Sequence, residues 1–197
     1  MTIPGFLATV TALPTIVNDA SSARAAWTVI RQQIDDSWQL LAKVPDVDID
    51  SEVETIAHQL KQVFRQEPPP DDLQLLWFGL FAATDVDTLQ DHAGYYVSGT
   101  TRPVGPVESS SDLSGDVLDY APNNRYLHSP LLEAIKVAAL SSEADYNNYD
   151  YGLMLCAAAV VSFFAAREAD VTSSIVVGFD SGDAIQFRAR TSNTRLS

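Results

Sequence analysis

The chain has 197 residues, 46% of them hydrophobic and 19% charged, with 26 acids against 12 bases and a formal net charge of −14. That apolar fraction excludes intrinsic disorder, a single cysteine excludes a disulfide framework, and 9 Gly with 10 Pro exclude a collagen-like or linker chain. The acid excess also excludes a basic nucleic-acid binder, because phosphate would be repelled.

In chain order, the first basic residue is Arg24, and Pro4 and Pro14 interrupt Met1 to Val17, so no secretory leader is expected. A cytoplasmic location follows as the expectation. Phe6 to Leu13 is rich in apolar and β-branched residues and reads as a strand closed by Pro14. Asn18 or Asp19 then caps a helix whose apolar face is Ala23, Ala26, Trp27, Ile30, Ile34, Trp38 and Leu41, ending before Pro45. Ser51-Glu52-Val53-Glu54 reads as a capping box for a second helix carrying Val53, Ile56, Leu60, Val63 and Phe64, stopped by Pro68-Pro69-Pro70. Leu73 to Ala83 is apolar almost all round and reads as a third, central helix with Asp71 and Asp72 at its positive end.

Residues 84–93 read as a short helix or turn and Gly94 to Ser98 as a strand. Residues 99–128 form a long irregular insertion rich in Gly, Pro, Ser and Asp. Ser129-Pro130 joins a cap to a first-turn proline and opens a helix through Leu131, Leu132, Ile135, Val137, Ala138 and Ala139. After a polar break at 141–148 comes a helix of about residues 149–168. Its apolar run, Gly152 to Ala166, is shorter than the ~20 residues of a membrane span, so it reads as a core helix with Cys156 buried inside it. A β-hairpin ends the pattern: Ile175, Val177 and Phe179 alternate before Asp180-Ser181-Gly182-Asp183, and Ile185, Phe187 and Ala189 after it. The expected fold class is α+β: a mostly helical single domain over 1–197, with about five main helices and a small antiparallel sheet that includes the C-terminal hairpin.

Motifs for chemistry are sparse. Asp46, Asp48 and Asp50 imitate the start of a calcium loop, but Ser51 and Ala57 stand where it needs Gly and Glu. Asp180 and Asp183 are what a hairpin turn requires. No phosphate-cradling loop, dinucleotide fingerprint or G-x-S-x-G elbow occurs. His58 sits beside the second helix's stripe, whereas His92 and His128 flank the irregular region. A histidine-based zinc site would have to be assembled across the fold, so no metal, cofactor or catalytic residue is assigned.

All seven tyrosines fall in three clusters: Tyr95-Tyr96 leading to Arg102, Tyr120 to His128 with Arg125 and Tyr126, and Asp145-Tyr146 to Tyr149-Asp150-Tyr151. Tyr beside Arg and Asn is the composition of a recognition surface, the alternative being rings that plug helix ends. The candidate partner-binding residues are Tyr95, Tyr96, Arg102, Tyr120, Arg125, Tyr126, His128, Asp145, Tyr146, Tyr149 and Asp150. Acidity that repels nucleic acid and anionic lipid steers toward basic proteins. The sequence therefore leads to a non-catalytic acidic module of the immunity or inhibitor type, docking on and neutralising a basic protein partner, with no nucleic-acid or membrane partner. The alternatives are a small-ligand binder or enzyme with its pocket under 94–128, involving His92, Tyr96, Arg102, Arg125, Tyr126 and His128, and, more weakly, a nucleic-acid mimic.

Overall fold

The computed structural model describes residues 4–33, 48–84, 91–107, 109, 113, 118–140, 149–179 and 182–187. Within them the helices are α1 (Pro4–Asp19), α2 (Ala23–Gln33), α3 (Ile49–Gln66), α4 (Pro130–Leu140) and α5 (Tyr149–Glu168). The strands are β1 (Leu75–Thr84), β2 (Asp91–Thr100), β3 (Tyr126–His128), β4 (Ser174–Phe179) and β5 (Ala184–Phe187), in the sheet order β3-β2-β1-β4-β5. Ile34, Trp38, Leu41, Asp46, residues 85–90 and 141–148, Asp180, Ser181 and residues 188–197 lie outside the described residues.

The architecture is α+β, but the sheet is mixed and helix makes up about half of the structure, so neither the antiparallel sheet nor the helical majority expected from sequence stands. β1 occupies the centre, antiparallel to β2 from Leu75↔Thr100 to Thr84↔Asp91 and parallel to β4 from Leu75↔Ser174 to Leu80↔Phe179. The third helix expected over Leu73–Ala83 is therefore this central strand. A strand covered on both faces presents a continuous apolar run, which periodicity cannot separate from a buried helix. Trp77 and Phe78 favour the pleated form. The C-terminal hairpin is present as β4–β5, pairing Ile175 with Phe187 and Val177 with Ile185.

The expected strand at Phe6–Leu13 is instead part of α1, which continues through Pro14. Thr9, Leu13 and Val17 are buried at four-residue intervals, a helical stripe that overrides the β-branched local preference. α3 begins earlier than the capping box implied. Asp48 is its cap and accepts the Asp50 amide, while Arg24 reaches across from α2 to Asp48 at 2.6 Å and Asp50 at 2.8 Å. At the end of α5, Asp170 takes a left-handed φ of 57°, and the amides of Asp170 and Val171 close on the Arg167 and Ala166 carbonyls. That is a Schellman stop with aspartate in the usual glycine position.

One face of the sheet carries Leu76, Phe78, Leu80, Tyr95, Val97, Leu127, Ile175, Val177, Ile185 and Phe187 into the main core with the helices. Each large side chain buried there contributes roughly 1.5–3 kcal/mol. α5 runs through this core. It is long and apolar enough to cross a membrane, the one such helix among the described residues, and most of it is buried in the protein. The opposite face carries Leu75, Trp77 and Val176 under Val107 and Leu113. That cover comes from the segment expected to be irregular, which is pinned where the Val107 amide meets Gln186 Oε1 and where Gly99 pairs with Tyr120. The β3 edge is lined by α3: Gln59 accepts the His128 amide at 2.9 Å and donates to the His128 carbonyl at 3.1 Å.

Candidate functional site

Alternation along β1 and β2 places Trp77, Gly79, Phe81, His92, Gly94 and Tyr96 on the face opposite the main core, and the register adds Tyr126 opposite Tyr96 and His128 opposite Gly94. Two glycines allow this face to form. A Cβ at Gly79 would lie 2.0 Å from Tyr96 Cζ, so the missing side chain is what lets that ring lie across β1. There its hydroxyl accepts the Trp77 indole N–H at 3.0 Å. A Cβ at Gly94 would meet the Leu127 carbonyl at 2.2 Å, so glycine also permits β3 to approach. Tyr126 remains 61% exposed. Its ring meets Phe81 edge-on at 5.7 Å and Tyr96 at 6.4 Å, and the Arg125 guanidinium lies 5.6 Å from its centroid and 5.9 Å from that of Tyr96.

Beside this aromatic patch lies a polar cluster. Glu133, in the first turn of α4, places Oε1 2.9 Å from His128 Nε2 and 3.3 Å from His92 Nδ1. The three side chains are partly open to water, His128 at 57%, His92 at 45% and Glu133 at 24%. Ser129 caps α4 as its sequence predicts, accepting the Leu132 amide, and donates its own proton to Glu52. Glu52 reaches in from α3 and also accepts the Leu131 amide. Burial pushes the Glu52 carboxyl above its ordinary range, partly offset by those two hydrogen bonds. The Tyr95 hydroxyl lies deep in the protein near this acid, and burial followed by the Glu52 charge holds it well above the usual tyrosine value.

The candidate residues named from sequence divide accordingly. Tyr96, Arg125, Tyr126 and His128 share one surface, and His92 joins them. Tyr95 faces the core, edge-on to Phe78 at 6.0 Å, and is closed to a partner. Tyr120 is likewise buried. Its hydroxyl donates to the Glu67 carbonyl at 2.8 Å, and burial with the Glu67 charge pushes it up to about 12. Arg102 stands apart, 3.8 Å from Asp119, whose carboxylate the Thr101 amide and hydroxyl hold below its ordinary range. Asp145 and Tyr146 lie outside the described residues, and Tyr149 and Asp150 open α5. Tyr151, the remaining tyrosine of that cluster, packs edge-on against Phe179 at 5.1 Å.

The chain matches no protein-family model, no curated protein and no solved structure. Two imidazoles converging on one carboxylate offer three ligand atoms to a cation. Ser129, the hydroxyl next to His128, is fully buried and committed to Glu52 and Leu132, so it is not presented to a substrate. Sequence reasoning missed Glu133, Gln59 and Phe81. The signal for Glu133 was its position five residues after His128, across a Ser-Pro helix start that turns the chain back on itself.

Proposed function

We propose that this protein is a non-catalytic binding module that docks on a basic protein partner through the Phe81–Tyr96–Arg125–Tyr126 patch, in the manner of an immunity or inhibitor protein. The observation that carries the reading is Tyr126: a large ring 61% exposed on an edge strand, backed by two further rings and stacked by a guanidinium. Aromatic and arginine side chains presented together are the composition of interface hot spots, and glycine-seated rings lose little freedom on binding. The net charge of −14 supports a basic partner, since such a field speeds encounter with a basic surface and repels nucleic acid and anionic lipid.

Immobilised full-length protein is exposed to source-cell lysate beside its Tyr126→Ala variant, and retained proteins are purified and measured against both by calorimetry. A lysine- or arginine-rich partner is expected to bind in a defined stoichiometry, to weaken steeply between about 0.05 and 0.5 M salt, and to lose about 2 kcal/mol with Tyr126→Ala. No retained partner, equal affinity for both proteins, or binding indifferent to salt overturns the proposal.

A further inference from the structure

The cluster beside the aromatic patch brings two imidazole nitrogens and one carboxylate oxygen together at the surface. We infer that His92 Nδ1, His128 Nε2 and Glu133 Oε1 form a surface site for a divalent transition ion, with Zn2+ as its occupant. The three atoms lie within 4.8 Å of one another, with 2.9 and 3.3 Å from the carboxylate oxygen to the two ring nitrogens. Ligands about 2.0–2.1 Å from a tetrahedral zinc stand roughly 3.3 Å apart, so the ion fits between these groups with small side-chain rotations. Two imidazoles and one carboxylate suit a borderline ion, whereas Ca2+ and Mg2+ favour all-oxygen shells. Three protein ligands leave the fourth position to water or to a group brought by another molecule.

The backbone supports this assignment independently of those distances. Each ligand sits on a regular element: His92 in β2 opposite Ala83, His128 in β3, and Glu133 one turn into α4. Gln59 holds His128 through both its amide and its carbonyl. The Glu133 amide closes the first turn of α4 on the Ser129 carbonyl at 3.0 Å, while the Ser129 hydroxyl is locked between Glu52 and the Leu132 amide. Ligands on rigid elements with their backbones tied lose little entropy when an ion arrives. His58, by contrast, stands on α3 with Gln62 at its ring, 2.9 Å away, and joins no such cluster among the described residues.

The test is calorimetric titration of the full chain with Zn2+, repeated with Mg2+ and Ca2+, and a Co2+ titration followed by visible absorption. One Zn2+ per chain is expected, with no comparable heat from Mg2+ or Ca2+ and with the absorption of four-coordinate Co2+. His92→Ala, His128→Ala and Glu133→Gln are each expected to weaken Zn2+ by at least about tenfold, while His58→Ala leaves it unchanged. Circular dichroism identifies any variant that fails to fold, and the remaining variants then decide. No Zn2+ binding to the wild-type chain overturns the assignment. So does binding that survives in every folded ligand variant, which would place the ion on other surface carboxylates. Because the patch variant Tyr126→Ala keeps all three ligands, its Zn2+ titration separates this site from the docking surface.

Discussion

Single atoms decide where the aromatic patch can stand. Gly79 and Gly94 face the same way, yet the neighbours that a methyl would meet differ in kind. At Gly79 the obstacle is the far end of the Tyr96 side chain, which can swing away; at Gly94 it is the Leu127 carbonyl, which is main chain. Gly79→Ala is therefore expected to cost only about 1 kcal/mol, while displacing the Tyr96 ring and breaking the bond to Trp77. Near-UV circular dichroism should change more than the urea midpoint. Gly94→Ala is expected to cost about 3 kcal/mol, because β3 has to move and His128 moves with it. Urea unfolding of the two variants side by side checks the order, and equal midpoints would contradict it.

The β2–β3–α4 unit rests on Glu52, an acid that α3 places in the core. Its folded-state value lies above the unfolded one, so the carboxyl adds stability at pH below about 4.5 and loses it as pH rises through the folded value. The groups bearing on it are His128 and Glu133, with Ser129 and Leu131 as hydrogen-bond donors and Tyr95 nearby. Glu52→Gln keeps an acceptor but does not ionise. The stability of the wild type relative to this variant is expected to fall as pH rises above about 4.5, with urea midpoints across pH as the measurement; a constant difference would rule this out. Several elements of this unit were legible in the sequence. The Ser129-Pro130 start is local chemistry, and Gly94 to Ser98 holds the aromatic and β-branched residues that strands favour. By contrast, Leu75 to Thr84 reads equally as helix, because burial on both faces removes the period that distinguishes them. The joining of His92, His128 and Glu133 was illegible for another reason. It depends on the register that sets His128 against Gly94, which no local pattern specifies.

Across the whole molecule, the main core joins all five described helices to one face of the sheet, and Cys156 lies fully buried within it on α5. Burial pushes its thiol up to about 12, so almost no thiolate exists at neutral pH. Labelling by an aromatic disulfide reagent is expected to be negligible in the native protein and complete in denaturant. Its rate should follow the global unfolding free energy from urea titration, since the centre of α5 is buried within the main core. Fast native labelling would show that α5 opens separately.

The position of Gln59 has a consequence for assembly. In β3 the amide and carbonyl of His128 point outward, where another chain would add a strand, and one side chain of α3 already occupies both. Lateral growth by main-chain pairing is blocked at that rung, so fibril-like stacking of copies has no template there. Whatever meets the molecule on this flank has to be chosen by the shape and charge of its side chains.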